Sequence, residues 1–444
     1  MKRILRGIVY LYIIMSCGVV GAQKQPLLSP VAMDSTHPFI RYKANTLHIA
    51  SDSTLLSEFF SKWNQVLTTG QGNVHIVHIG GSHVQAGTLP NRIRRNLLLS
   101  SPEYVADRGM VFPYSAAAKC NNPPDYRVHC PQRMELTRNV YKTLEAELGL
   151  CGIAVTARDT STFIDIVMAE QDIDYANSRI VVLGYSPDHV VPFLQTENGT
   201  YRPSHIEAGT RRFLFNLPTT TDSFRIVLPC EQGQSFVLTG VYLGNQRAGL
   251  SYHSIGVNGA AVPDYLKCNY LKTDLRMMKP DMVVFGIGIN DASGPNFDSA
   301  AFFRNYMQLV DSIREVSPRC AFVFITNNDS YRRVKRNTYS VNRNGLQVQQ
   351  VCYRLAEATG GAVWDQFEVM GGLKSMDKWR VAKLAQNDRV HFTRAGYLLV
   401  GDLFYNALAS AANHFASCGA LESKPTRING KRNVNDERSD YLSY

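Results

Sequence analysis

The sequence feature that most constrains the fold is an apolar run at residues 74–79, which is followed by Gly80, Gly81 and Ser82. The run predicts a buried strand of a parallel sheet, and residues 88–99 have the spacing of a helix. A tight glycine turn between strand and helix places a side chain at the carboxyl edge of the sheet, where α/β proteins bind their ligands. Ser82 is therefore a candidate nucleophile, although this segment taken alone also fits an ordinary turn.

Two later stretches supply the other groups that acyl transfer requires. Residues 284–291 run from an apolar strand through a glycine turn to Asn290 and Asp291, and Asp388 and His391 are spaced as Asp-x-x-His. A serine hydroxyl needs a base within hydrogen-bond reach, and Asp388 is close enough in sequence to orient the imidazole of His391. Taken alone, each stretch also fits a simple turn, with Asp291 supporting its loop.

The order of these motifs resembles that of the SGNH (GDSL-type) hydrolases, and among them the bacterial envelope O-acetylesterases that act on peptidoglycan and carry an inserted β-sandwich. The core resemblance covers about residues 72–100 and 252–415. It implies a catalytic triad of Ser82, Asp388 and His391. It also implies an oxyanion hole formed by the backbone N–H groups of Ser82 and Gly259 and by the amide of Asn290, with Gly256 as the alternative to Gly259.

The serine block departs from the family pattern at one position. The family usually has Asp before the serine, where this chain has Gly81. That Asp is not the proton acceptor in the family, so its replacement leaves the triad intact but removes a carboxylate that supports the loop. His83 after the serine fits the envelope esterases, and we predict that Gln85 and His83 contact the substrate.

Short β-like runs fill the interval between the first and third motif blocks, at residues 163–167, 179–183, 212–215, 224–228 and 236–243. Their spacing predicts an antiparallel β-sandwich inserted into a three-layer αβα, flavodoxin-like domain with a parallel sheet. A sandwich in this position either holds carbohydrate or acts as a rigid spacer. The predicted boundaries are a signal peptide at 1–22, an extended lead-in at 23–50, a discontinuous SGNH-like domain at 51–118 and 252–416, the insertion at 119–251 and a polar, flexible tail at 417–444.

The first 22 residues have the form of a secretory signal, with basic residues, an apolar stretch and a small-residue site ending at Ala22. Cleavage there predicts a periplasmic or secreted protein. The alternative is a lipid anchor on Cys17, although Met15 and Ser16 fit a lipobox poorly. Export permits disulfides, but the cysteine spacings match no zinc pattern, and the sequence does not determine their pairing. Cys320 and Cys352 lie in apolar segments, which predicts buried thiols, and a Cys120–Cys130 bridge remains open.

Composition restricts the partners without identifying one. The 444-residue chain has a formal charge of +10, which suits either an anionic envelope or glycan partner, or a solvated surface without one. We see no nucleic-acid module, no dinucleotide or P-loop fingerprint and no metal-ligand spacing. The prediction is therefore an enzyme without a cofactor or metal, with association to the cell envelope and the oligomeric state left open.

Together these features predict an exported serine esterase that removes O-acetyl groups from a glycan, with peptidoglycan first and another polysaccharide second. Two alternatives remain open. A glycan O-acetyltransferase would use the same residues, with a sugar hydroxyl in place of water. A non-catalytic glycan-binding envelope protein would explain Gly81 as decay of the site.

Overall fold

The computed structural model describes residues 28–117, 122–169, 173–207, 209, 211–336 and 338–422. The predicted signal peptide, Cys17, Cys120 and the end of the predicted tail lie outside these residues. The strands are β1 (Leu47–Ile49), β2 (Asn73–Gly80), β3 (Gly109–Val111), β4 (Tyr126–His129), β5 (Glu135–Arg138), β6 (Ile153–Ala157), β7 (Phe163–Met168), β8 (Arg179–Tyr185), β9 (Phe193–Thr196), β10 (Gly199–Tyr201), β11 (His205–Glu207), β12 (Arg212–Asn216), β13 (Ser223–Val227), β14 (Phe236–Gly244), β15 (Gly249–Gly256), β16 (Met282–Gly286), β17 (Ala321–Ile325), β18 (Tyr331–Lys335), β19 (Thr338–Val341) and β20 (Ala362–Trp364). The α-helices are α1 (Thr54–Thr69), α2 (Ser82–Gln85), α3 (Thr88–Leu99), α4 (Val262–Tyr265), α5 (Leu271–Met278), α6 (Ser299–Arg314), α7 (Asn344–Thr359), α8 (Gln366–Val369), α9 (Ser375–Val381) and α10 (Arg394–Glu422).

A mixed sheet with five parallel strands forms the centre of the α/β part, in the order β1-β20-β17-β16-β2-β15. Only β1 is antiparallel to its neighbour. Numbered along the chain, the five parallel strands have the order 2-1-3-4-5, which is the flavodoxin-like arrangement. The structure thus confirms the predicted α/β domain with a parallel sheet.

Amphipathic helices cover this sheet because each has an apolar stripe at helical spacing. In α1, for example, Leu56, Phe59, Phe60, Trp63 and Val66 are all buried. Helix α10 contacts both α1 and α3, and α4, α5, α6 and α7 form a second connected group. Within the described residues, no helix combines the length and apolar character that crossing a membrane requires.

Two antiparallel sheets occupy the chain between α3 and β15. One has the order β10-β9-β13-β7-β4, and the other has the order β11-β12-β8-β14-β6-β5, with β3 also paired to β14. The five β-like runs seen in the sequence all fall in these sheets. Strand β3 lies before residue 119, where the insertion was predicted to begin, and β15 joins the parallel sheet at Gly249, before the predicted position 252.

A buried charge cluster connects the two parts of the molecule. Arg94 on α3 and Arg108 both hydrogen-bond Oδ2 of Asp125, at 2.7 Å from Arg94 Nη2 and 2.8 Å from Arg108 Nε. Burial would raise the pKa of Asp125, but the two guanidinium groups outweigh it and the pKa lies below its usual value. Removing one partner of such a cluster leaves an uncompensated buried charge, so the cluster fixes α3 against the start of the antiparallel sheets.

Several local predictions differ from the structure. The lead-in, which was predicted to be extended, contributes the edge strand β1. The turn at Gly259 leads into α4, which has Pro263 in its first turn and in which Asp264 accepts the N–H of Ala261 at 2.8 Å. Helix α10 continues to Glu422, past the predicted end of the domain at 416. Cys320 and Cys352 are buried as predicted, and the cysteines in the described ranges form no disulfide with one another.

Candidate active site

Ser82 lies where the order of the parallel strands reverses. Strand β2 ends at Gly80, Gly81 is the N-cap of α2, and Ser82 is the first residue of that short helix. Strand β16, which leads to Asn290, is the neighbour of β2 in the sheet. The carboxyl ends of the strands at such a switch point form the crevice in which doubly wound proteins bind ligands.

The side chains of Ser82, His391 and Asp388 form one hydrogen-bonded chain. Ser82 Oγ lies 2.8 Å from Nε2 of His391, and Nδ1 of His391 lies 2.7 Å from Oδ2 of Asp388. A carboxylate partner assigns the ring proton to Nδ1, so that Nε2 accepts the proton of the serine hydroxyl. Ser82 and His391 are 309 residues apart in the sequence, and the fold brings them into direct contact.

Asp388 is held by its own loop as well as by the imidazole. Its Oδ1 accepts the backbone N–H groups of Val390 at 2.9 Å and His391 at 3.0 Å. Partial burial raises the pKa of Asp388, but the hydrogen bonds from the His391 ring and these two N–H groups outweigh it and lower the pKa to about 2. Asp388 is therefore ionised at neutral pH and suited to stabilise a positively charged His391.

Three hydrogen-bond donors converge near the serine. Asn290 donates one amide hydrogen to the carbonyl of Ala260 at 2.9 Å, which leaves its second hydrogen for another acceptor. Gly259 has a φ of +83°, and a Cβ built on it would meet nothing within 4 Å because it faces the open cleft. Among the described residues, neither Ser82 nor Gly259 donates its backbone N–H to another group. Ser82, Gly259 and Asn290 line the same cleft, which is the arrangement that the predicted oxyanion hole requires.

Gly256, the alternative to Gly259, has a different environment. A Cβ at Gly256 would lie 2.2 Å from the backbone nitrogen of Gln85, so this glycine allows β15 to pack directly against α2. The side chain of Gln85 is buried, and its Oε1 accepts the N–H of Asn258 at 2.6 Å. Gln85, predicted to contact substrate, thus lines the cleft while also fixing the turn that carries Gly259.

Gly81 leaves little space where the family usually has Asp. A Cβ at this position would lie 3.3 Å from Nδ2 of Asn290, which is a tight contact. The neighbouring Asp291 supports the loop, as predicted: its carboxylate accepts the N–H of Val262 with both oxygens at 3.2 Å. Burial raises the pKa of Asp291 to about 6.

An open cleft of about 520 Å³ lies over these groups. Its lining contains no carboxylate and only one ionisable imidazole, and consists of Ser82, Gln85, Ala86, Asn258, Gly259, Ile289, Asn290, Gln386, Val390, His391 and Tyr397. Within the described ranges, no cluster of three or more His, Cys, Asp or Glu side chains could hold a metal ion. The arrangement can therefore polarise a serine hydroxyl and offer donors to an oxyanion.

His83 does not line this cleft, in contrast to its predicted contact with substrate. Its ring lies beside that of His391, with centroids 5.2 Å apart, and its Nδ1 pairs with Oη of Tyr397 at 2.9 Å. Burial, with a smaller contribution from His391, lowers the pKa of His83 to about 3. A neutral His83 supports the position of the His391 ring without repelling a positive charge on it.

Sequence reasoning missed two residues of the site, Gln386 and Tyr397. The backbone N–H of Gln386 donates to the carbonyl of His391 at 2.8 Å, and the side chain of Gln386 lines the cleft. Tyr397 on α10 lines the same wall. The sequence signal for Tyr397 was its place in the first turn of the closing helix, directly after the Asp-x-x-His motif, whereas Gln386 had no local signal.

Comparison with known proteins finds a matching family model and solved structures with a similar fold. Residues 239–399 match the family model described as GDSL-like Lipase/Acylhydrolase family, a segment that contains Gly259, Asn290, Asp388 and His391 but begins after Ser82. A solved structure of a peptidoglycan O-acetylesterase superimposes with a TM-score of 0.68 at 19% identity, covering 83% of this chain and 99% of that chain. A family two carbohydrate esterase from Cellvibrio japonicus gives a TM-score of 0.28 at 10% identity, covering 66% of this chain and 99% of that chain. No curated protein matches the sequence.

Proposed function

We propose that the chain, which carries a GDSL-like lipase/acylhydrolase domain, is an exported serine esterase that removes O-acetyl groups from a glycan, with peptidoglycan the first substrate to test. The single observation that carries this proposal is the continuous contact from Ser82 through His391 to Asp388 beside the amide of Asn290. The fold shared with a peptidoglycan O-acetylesterase supports the choice of substrate.

The proposed reaction has two steps. Nε2 of His391 takes the proton of Ser82 while Oγ attacks the acetyl carbonyl, and the oxyanion that forms is bound by the N–H groups of Ser82 and Gly259 and the amide of Asn290. The protonated His391, stabilised by Asp388, then gives its proton to the departing sugar oxygen and leaves an acetyl-Ser82 ester.

Water completes the cycle. His391 removes a proton from the water as it attacks the acetyl-Ser82 carbonyl, a second oxyanion occupies the same donors, and acetate leaves as Ser82 regains its proton. The open cleft, about 520 Å³, has room for a sugar residue bearing the ester. The antiparallel sheets are in our proposal a β-sandwich insertion that holds or positions the glycan, and export follows the signal-like sequence at residues 1–22.

The test measures acetate release from O-acetylated peptidoglycan and from acetylated xylan by the protein without residues 1–22. We expect release from one substrate that disappears in the Ser82→Ala variant. No release from either glycan, nor from a small activated acetate ester, would contradict the esterase proposal and favour a glycan-binding protein.

A transferase is the second candidate because its acceptor would enter the same open cleft. Adding a sugar acceptor to the acetate-release assay separates the two activities. Transfer would appear as an acetylated acceptor formed at the expense of free acetate, and it would require Ser82 as well.

A further inference from the structure

A basic hairpin stands beside the candidate active site. Strands β18 and β19 pair antiparallel, with Tyr331 opposite Val341 and Arg333 opposite Tyr339. The sequence of this hairpin, residues 331–341, contains no acidic residue and carries four cationic side chains, Arg332, Arg333, Lys335 and Arg336. Among the described residues, none of these four takes part in a salt bridge, in contrast to the nearby Arg380 and Arg389, which both pair with Asp377.

The hairpin is attached to the loop that carries the triad. The backbone N–H of Tyr331 donates to the carbonyl of Arg389 at 3.1 Å. Just before the hairpin, the amide of Asn328 donates to the carbonyl of Val390 at 3.0 Å. Both acceptors lie between Asp388 and His391, so the base of the hairpin is fixed to the catalytic loop itself.

Arg389 strengthens this attachment. Its guanidinium carbon lies 4.6 Å from the ring centroid of Tyr339 and 5.3 Å from that of Tyr331, in cation–π contact with both strands. Its φ is +58°, a backbone conformation that residues other than glycine rarely adopt. The contacts with the hairpin therefore hold a strained residue in the middle of the Asp-x-x-His motif.

The hairpin is also attached to the loop after Asn290. Arg332 Nη1 donates to the carbonyl of Gly294 at 3.0 Å. Directly after β19, at the same base of the hairpin, Asn342 Nδ2 donates to the carbonyl of Ala292 at 2.9 Å. The hairpin thus spans the two loops that supply the proposed base and the proposed oxyanion donor, and both of these loops contribute residues to the lining of the cleft.

The remaining cations of the hairpin are exposed and have no salt-bridge partner among the described residues. Arg333, Lys335 and Arg336 are exposed, as is the apolar side chain of Val334. A strand rises about 3.4 Å per residue, so these charges extend outward over about 10 Å from the base of β18. Charges act over about 10 Å at 0.1 M ionic strength, and the cleft lining offers no carboxylate to oppose them.

We propose that the hairpin is a docking arm for a polyanionic glycan strand, whose carboxylates pair with Arg333, Lys335 and Arg336 while an acetylated sugar occupies the cleft. This inference rests on the proposed function for the identity of the polymer. Carboxylates are the expected partner because stem peptides and acidic sugars place them at repeated positions along one strand, as the cations are repeated along the hairpin.

The experiment measures binding separately from hydrolysis. The probe is soluble, unacetylated peptidoglycan strands with free stem-peptide carboxylates, so the result does not depend on esterase activity. The variant Arg333→Glu with Lys335→Glu is compared with Arg276→Glu with Lys279→Glu. The control pair changes the net charge equally but lies just before β16, at the opposite edge of the sheet from Ser82.

We expect the hairpin variant to raise the Kd roughly tenfold at low ionic strength and the control pair to leave it unchanged. The difference should disappear near 1 M salt, where charges act over only about 3 Å. The variant Arg333→Lys with Lys335→Arg keeps both positive charges and exchanges the two side chains. It should bind as tightly as the native protein, because the proposed docking depends on charge and not on the identity of each side chain.

Three results would overturn the proposal: equal binding by the hairpin and control variants, equal binding of strands whose carboxylates have been amidated, or binding to phosphatidylglycerol vesicles instead of the strands. The last result would make the hairpin a membrane contact. If the strands bind as expected but no ester releases acetate, the docking proposal stands and only the esterase proposal is overturned.

Discussion

Replacing Asp388 with Asn tests the triad through the position of one proton. In the native site Oδ1 of Asp388 accepts two backbone N–H groups, and Oδ2 accepts the Nδ1 proton of His391. An asparagine must keep its oxygen toward the two backbone donors, because the reverse orientation would set donors against donors at a cost of about 1–3 kcal/mol each. Its NH₂ group then faces Nδ1.

That orientation forces the proton of His391 onto the wrong nitrogen. Nδ1 becomes the acceptor for the asparagine, so Nε2 carries the proton and donates to Ser82 instead of accepting from it. A triad with this tautomer loses roughly 10⁴ in kcat, which is about 5 kcal/mol of transition-state stabilisation. Asp388→Ala leaves the ring free to adopt either tautomer, so we expect it to be no more damaging than the nearly isosteric Asn.

The assay uses hydrolysis of a small activated acetate ester, which removes glycan binding from the comparison. Thermal unfolding of both variants shows whether the loop is intact. The reasoning is refuted if Asp388→Asn, still folded, keeps more than about a tenth of the native kcat, or if Asp388→Ala is clearly slower than Asp388→Asn.

Three further predictions follow from the geometry. Asn290→Ala should lower kcat on the same ester roughly 10²–10³-fold with little change in Tm, because it removes an oxyanion donor whose amide makes one hydrogen bond within the described residues, to the carbonyl of Ala260. An unchanged kcat would exclude Asn290 from the oxyanion hole. Gly256→Ala should destabilise the fold by about 2 kcal/mol, because its Cβ would lie 2.2 Å from the backbone nitrogen of Gln85. Gly259→Ala should destabilise it by only about 1 kcal/mol, because its Cβ meets no atom within 4 Å and the cost comes from the positive φ alone. Chemical denaturation that found the opposite order would contradict the packing. The pKa of Asp274 is raised by burial from 3.8 to about 6, so this carboxyl binds more protons in the native state than in the unfolded state over that interval, and its own contribution to the free energy of unfolding should fall by ~3 kcal/mol as the pH rises from about 4 to about 6. Asp274→Asn keeps an acceptor for the N–H of Leu150 and should flatten this dependence in unfolding experiments from pH 4 to 7, and an unaltered pH dependence would refute it.

Much of the α/β domain was readable from sequence because its strands are continuous apolar runs and its helices have wide apolar stripes. The range of α3 agrees with the helix predicted at 88–99, and the apolar run at 74–79 lies within β2. The predictions were weaker where contacts distant in sequence decide the structure. Strand β1 is short and half exposed, and it forms only because β20 provides a partner.

The hairpin β18–β19 was missed for a related reason. Its residues are polar and basic, so no apolar alternation marks them as strands, and its base is held by Arg389 and by loops far away in sequence. The run from Arg332 to Arg336 with tyrosines on both sides was the available signal.

The sequence by itself determined the chemical groups and their order along the chain: a serine after a glycine turn, an asparagine after a second strand and an Asp-x-x-His near the end. These depend on local patterns, which backbone geometry and apolar periodicity specify over a few residues. Only the tertiary structure decided which groups meet. Ser82 lies 2.8 Å from His391, the ring of His83 lies beside the His391 imidazole, and the charged hairpin is hydrogen-bonded to the catalytic loop. These contacts depend on strand order and on the packing of distant loops, which no local pattern encodes.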